Sequence, residues 1–163
     1  MLQLFVYKET KISTWTHSLL VETIGAELAN NVAFLPSVGA SGGILIAASN
    51  CFFDISQPHL TAHTVSATIT MLVENKTWTI TGVYGPQSDV DKLLFLQEIM
   101  DLRTLCLLTW LVLGDFNLIL NAQEKNNARL NLPMINRFRS TVDNLELARI
   151  DLRGRKYTWC NDQ

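Results

Sequence analysis

The sequence predicts an α+β fold built as a layered α/β sandwich, and three observations predict it. Apolar runs of strand length recur along the chain, separated by turn signals. Two of these runs alternate with a period of two and are joined by a short polar turn, which is the pattern of a β-hairpin. From Asp89 the apolar period lengthens to that of a helix, then gives way to a short, fully apolar run at Leu111, Val112 and Leu113. Hairpins mixed with strand-helix-strand units call for sheets packed on each other, with helices outside.

Each element has its own justification. Residues 2–7 form an apolar run that leads directly into Lys8, Glu9, Thr10 and Lys11. A Gly-rich turn at residues 39–43 precedes a strand at Ile44, Leu45 and Ile46. In residues 63–73, Val65, Ala67, Ile69 and Met71 share one face, and Ser66, Thr68 and Thr70 share the other. Residues 77–84 alternate likewise after a turn at Glu74, Asn75 and Lys76. Ser88 or Asp89 can cap a helix whose apolar positions are Leu93, Leu94, Leu96, Ile99, Met100 and Leu102. Residues 121–131 are polar and read as a loop. Residues 134–147 read as an amphipathic helix with Ile135, Phe138, Val142 and Leu145 on one face. Residues 156–159 read as a last strand after a turn at Gly154.

Composition narrows the function classes. A chain of 163 residues with 48% apolar and 17% charged residues can bury a core and is not disordered. It is expected to be one domain over residues 1–163. Its formal net charge of −2 carries no global basic signature of a nucleic-acid binder, although a nuclease needs only a local positive rim. Cys51, Cys106 and Cys160 fit neither a disulfide framework nor a zinc ligand set, and read as incidental thiols. The apolar start is too short for a secretory signal and residues 105–113 are too short to span a bilayer, so the expectation is a soluble, intracellular protein without a membrane partner.

Three places can carry chemistry. In Gly114-Asp115-Phe116-Asn117 an apolar strand delivers a carboxylate and a carboxamide two residues apart, which alternation would put on one side. Asp115 can act as a base or ligand, and Asn117 can donate to a phosphate oxygen. The same two residues also read as turn formers at a strand end. Glu9, at the tip of the first strand, suits Mg²⁺, which takes one or two carboxylates with waters and phosphate oxygens. It also reads as an exposed glutamate between lysines. Tyr84, in Gly82-Val83-Tyr84-Gly85-Pro86, offers a phenol to a phosphate or an aromatic ring to the core. His17, His59 and His63 lack metal-ligand spacing and read as non-catalytic. Residues 39–43 lack the phosphate-loop lysine pattern, and no serine sits in a nucleophile elbow.

Taken in order, these motifs resemble the endonuclease/exonuclease/phosphatase (DNase I-like) family, closest to the endonucleases of plant LINE-type non-LTR retrotransposons. The resemblance rests on Glu9-Thr10-Lys11, residues 34–45, Val83-Tyr84-Gly85-Pro86-Gln87, residues 110–119, the Glu124-Lys125-Asn126-Asn127 loop and residues 151–159. It implies a four-layer α/β sandwich of two mixed β-sheets flanked by helices. It implies Mg²⁺- or Mn²⁺-dependent hydrolysis of phosphodiesters, with DNA as substrate and a nuclear site of action for an intact element. Glu9 resembles the metal-binding glutamate and Tyr84 the tyrosine on the scissile phosphate. Asp115 resembles the aspartate that orients or deprotonates water, and Asn117 the asparagine that steadies the phosphate. Trp159 falls where a late strand lines the DNA-facing rim, with a core aromatic as an equal reading. A monomer is expected, with a reverse transcriptase downstream in an intact element.

The sequence also departs from that family. Tyr7-Lys8 stands where Leu-Gln or similar is usual. The family's earlier asparagine-bearing strand and its closing Ser-Asp-His strand have no counterpart in these residues. The sandwich is therefore expected to be partial and the chain a fragment with little or no activity by itself. Two alternatives stand beside the enzyme: a remnant without a role, and a DNA-binding module without chemistry. The latter would use Arg129, Arg137, Arg139, Arg153, Arg155 and Lys156.

Overall fold

The computed structural model describes residues 3–39, 42–124 and 130–150. The chain divides into two compact units, Met1–Asn117 and Leu118–Gln163.

The first unit holds two sheets. Strands β1 (Leu4–Thr10), β2 (Val32–Leu35) and β3 (Gly43–Ala48) form an antiparallel sheet in the order β1-β3-β2. Strands β4 (Phe53–Leu60), β5 (Thr64–Met71), β6 (Lys76–Tyr84) and β7 (Trp110–Asp115) form the second, in sequence order. Its β4-β5-β6 part is antiparallel and β7 runs parallel to β6, so of two sheets expected to be mixed, only this one carries a parallel pair among the described residues. The parallel pairing follows from the crossover through helix α3 (Asp89–Arg103), which returns the chain to the same end of the sheet.

The inner faces of the two sheets close on one core. Ile44, Ile46 and Ala48 of β3 meet Val65, Ala67, Ile69 and Ile80 of β5 and β6, with Leu4, Val6, Leu111 and Leu113 packed at the margins. The alternation expected for β5 is therefore the observed one. Strand β3 is buried on both faces. Its other side, Leu45 and Ala47, packs under Leu20, Leu28 and Ala29 of α1 (His17–Ile24) and α2 (Ala26–Ala29). A buried asparagine ties the sheets together. The Asn31 amide donates to the Phe53 carbonyl at 2.8 Å, and its oxygen accepts the Ile55 N–H at 3.0 Å.

The outer face of the second sheet is polar, and its centre at Ser66, Thr79 and Thr81 is covered. The Ser66 and Thr81 hydroxyls pair at 2.8 Å, and the Trp110 indole N–H donates to Thr81 at 2.8 Å, so these buried groups are satisfied. Helix α3 lies at this face. Ser88 caps it by accepting the Asp91 N–H, and Asp89 and Asp91 complement its N-terminal dipole. It buries Phe95, Leu96, Ile99 and Leu102. Leu93 and Leu94, expected among its apolar positions, are exposed, because the buried stripe runs through Phe95 instead.

In the second unit, α4 (Leu132–Asn144) begins two residues before the expected start. Asn131 caps it and Pro133 fits its first turn, where no intrahelical N–H is needed. It buries Met134, Ile135, Phe138 and Thr141. Glu124 organises the segment before it, accepting the Leu120 N–H at 3.0 Å and pairing with Arg149 at 2.6 Å. Burial pushes the Glu124 carboxyl up, but the Leu120 N–H, Arg149 and Asn121 together hold it below its ordinary value. Cys51 is exposed and Cys106 buried, and both are free thiols. The last expected strand, Trp159 and Cys160 lie outside the described residues.

Candidate active site at the strand tips

Three strand tips meet at one end of the sandwich. β6 and β7 run parallel and finish together, with Tyr84 paired to Asp115 in register. Strict alternation from Ile80 and Leu111 puts both side chains on the inner face of their sheet. β1 belongs to the other sheet, and its inner face reads Leu4, Val6, then Lys8. Lys8 reaches across to Asp115, with Nζ 3.4 Å from Oδ2.

Glu9 enters by a local irregularity. Simple alternation after Lys8 would turn it away from the core. Instead the register with β3 shifts between Lys8 and Thr10, and Glu9 takes a left-handed φ of +57°. The Glu9 backbone then lies against Gly42. A Cβ added to Gly42 would stand 2.7 Å from the Glu9 Cα and 3.2 Å from the Tyr84 ring, so the absence of a side chain there lets the two approach. The Glu9 carboxylate is exposed and has no hydrogen-bond partner among the described residues.

Asp115 and Asn117 come together by a different route from the expected one. Gly114, at φ +137°, sits directly over the Val83 backbone where any Cβ would collide with the Val83 carbonyl. After Asp115 the chain leaves the extended conformation, and Asn117 adopts φ +49°. Alternation therefore does not place the pair. A side-chain turn does: Asp115 Oδ1 accepts the Asn117 N–H at 2.9 Å. The Asn117 amide donates to the Gly85 carbonyl at 2.6 Å, and the Gly85 N–H donates to the Asp115 carbonyl at 2.7 Å. The β6 and β7 tips are thus stitched into one rigid lip. One amide N–H of Asn117 and its carbonyl oxygen have no partner in this lip.

Tyr84 reports on the electrostatics. Burial pushes its phenol up, and the carboxylates of Glu9 and Asp115 push it further the same way. It therefore stays protonated, a donor, across the neutral range. Glu9 meets Tyr84 across Gly42 and Tyr84 pairs with Asp115, so the three share one neighbourhood although they come from two sheets.

Of the residues singled out from sequence, Glu9, Tyr84, Asp115 and Asn117 are brought together. Trp159 lies outside the described residues. Lys8 was legible only as an unusual residue in the motif, and its period-two relation to Leu4 and Val6 was the signal for its inward direction. His63 accepts the Tyr84 N–H through its backbone carbonyl, while its ring meets Phe95 edge-on at 5.7 Å. None of the three histidines hydrogen-bonds Asp115 or Asn117 among the described residues. Of the arginines proposed for a DNA-binding face, Arg137 and Arg139 are exposed, and Arg139 is engaged by the Leu120 carbonyl. Arg129, Arg153, Arg155 and Lys156 lie outside the described residues.

The donors fit one divalent ion better than an all-protein cage. Among the described residues no group of three His, Cys, Asp or Glu side chains is placed to hold a metal. Both Asp115 oxygens already face donors, which leaves Glu9 as the open carboxylate. One carboxylate completed by water and phosphate oxygens is an ordinary arrangement for Mg²⁺. Among the described residues no helix is long and apolar enough to cross a membrane. No model of a known protein family matches the chain, and no curated protein is similar to it at a significant level.

Proposed function

We propose that the strand-tip mouth is part of the catalytic site of a Mg²⁺-dependent phosphodiesterase of the endonuclease/exonuclease/phosphatase kind, acting on DNA. The observation that carries this reading is the convergence of Glu9, Tyr84, Asp115 and Asn117 from two different sheets onto one neighbourhood. Distant residues held by a bulge, two left-handed backbones and a side-chain turn are costly to arrange, and such irregularities concentrate at functional sites.

Each group has a role suited to ester hydrolysis. Glu9 would hold the divalent ion (Mg²⁺ or Mn²⁺), which would supply positive charge to offset that of the phosphate and the departing alkoxide. Asp115 orients a water and accepts its proton. The neutral Tyr84 phenol and the spare Asn117 N–H donate to the phosphate as its charge redistributes.

The test is nicking of supercoiled plasmid with Mg²⁺. Nicking that needs the metal and vanishes in Asp115→Ala supports the reading. Salt-dependent DNA binding with no nicking at any protein concentration would move it to a binding module without chemistry.

A further inference from the structure

We propose that Lys8 is a working group of the mouth: its ammonium holds Asp115 while the site is free and transfers to a phosphate oxygen when the ester enters. This rests on the phosphodiester reading above and adds a residue that the family resemblance does not supply.

Lys8 is solvated, but its place in the strand aims it at the mouth. Leu4 and Val6 face the inter-sheet core, and the two-residue period carries Lys8 to the same side. It is the last residue before the bulge that redirects Glu9. Its ammonium crosses from one sheet to the terminal residue of β7 in the other, where Asp115 also accepts the Asn117 N–H.

The contact is also one that can be exchanged. A separation of 3.4 Å is long for a charge-assisted hydrogen bond, which settles nearer 2.7–2.9 Å. The Lys8 and Asp115 side chains are 47% and 32% exposed, so their pairing is screened and contributes little to the fold. Asp115 keeps the Asn117 N–H when Lys8 leaves.

There is a reason for such a group. Glu9 and Asp115 place two negative charges in the mouth, and an approaching phosphodiester anion meets both. Lys8 offsets one of them at the place of approach. The side chain is long enough to follow the phosphate without any backbone change.

Binding of a fluorescein-labelled DNA duplex, followed by anisotropy in EDTA over a KCl series, tests the proposal. The comparison is between the full chain and its Lys8→Gln and Lys8→Arg variants. Lys8→Gln is expected to weaken binding about five- to tenfold and to reduce the slope of log affinity against log salt by about one. Lys8→Arg is expected to restore both, and Asp115→Asn, which releases the ammonium, to tighten binding. Unchanged affinity and slope in Lys8→Gln overturn the proposal, as does an absence of binding by the wild type. Because divalent ions are chelated, the outcome is independent of nicking. Metal-dependent nicking with Lys8→Gln binding like wild type keeps the nuclease reading and removes this one.

Discussion

Two regions of the first unit gather carboxylates, and they use them differently. One is the strand-tip mouth with Glu9 and Asp115. The other is an open groove between α3 and the end of β4, lined by His59, Thr61, Gln97, Glu98 and Asp101 among others. In the groove the carboxylates are occupied by neighbours. Glu98 accepts from the Thr61 hydroxyl and from the His63 N–H at 3.1 Å, and the Thr61 and Thr64 hydroxyls pair at 2.6 Å. Asp101 accepts from Gln97 at 2.8 Å. Glu98 thereby locks the β4–β5 corner onto α3. In the mouth, Glu9 is open, Lys8 is loosely held, and Glu9 and Asn117 both sit at left-handed φ. Acids tied to neighbouring donors build the fold. An open acid on a strained backbone is the arrangement expected of a site.

The comparison breaks if function follows the groove. The largest effect is expected from Asp115→Ala, which should lower plasmid nicking by at least about 10²–10³ while costing about 0.5–1.5 kcal/mol of stability, because the ion pair is partly exposed and the part-buried Asn117 N–H loses its acceptor. Thermal unfolding and nicking rates measured on one preparation separate the two quantities. A large drop in melting temperature with unchanged nicking would place Asp115 in the structural class.

Glu98→Ala should do the reverse. Removing an acceptor that satisfies a buried corner costs about 1–3 kcal/mol, and the Thr61 hydroxyl and His63 N–H lose their partner. Urea unfolding should shift to lower concentration, while nicking below the transition stays as in the wild type. A nicking defect in fully folded Glu98→Ala would erase the distinction between the two regions.

This contrast also marks what the sequence could reveal. The β5–β6 hairpin was legible because Val65, Ala67, Ile69 and Met71 alternate and Asn75 accepts a left-handed turn. Helix α3 was legible from its period and its Ser88 cap, β7 from its apolar run. β4 was not legible. It is an edge strand containing Pro58 and interrupted at Gln57 with φ +50°, so no alternation survives. β2 has four residues, too few for a period, and α1 and α2 draw their stability from Leu45 and Ala47 beneath them. At the site, residue types and strand tips were readable, whereas the bulge at Glu9 and the turn at Asn117 were not. Both are backbone departures from regular alternation that depend on partners elsewhere in the chain: β3 for Glu9, Gly85 for Asn117.

The strain at Glu9 gives a sharper test of the same contrast. A non-glycine residue at φ +57° costs on the order of 1 kcal/mol relative to glycine. Glu9→Gly should therefore raise stability by up to about 1 kcal/mol while weakening divalent-ion binding, measured by calorimetric Mn²⁺ titration. Stability gained as binding is lost is the signature of a position held for function. A Glu9→Gly variant that is destabilised would assign the bulge to folding alone.

The smallest effect is the most specific. Burial, then Glu9, then Asp115 raise the Tyr84 phenol above its ordinary value of 10.0. The folded chain thus binds this proton more tightly than the unfolded chain does. That stabilisation is complete below the unfolded value and is lost as pH rises through the folded one, so Tyr84 contributes to an alkaline limit and not to an acid one. Neutralising either mouth carboxylate, as Glu9→Gln or Asp115→Asn, should lower the Tyr84 titration toward its ordinary value. Glu98→Gln, on the groove side, should leave it where it is. Tyrosinate absorbance read against Tyr84→Phe, which subtracts the other two tyrosines, resolves the difference. Equal shifts from Glu98→Gln and Asp115→Asn would mean that the field at Tyr84 is a property of the whole unit, and the mouth would lose its claim to be a separate electrostatic site.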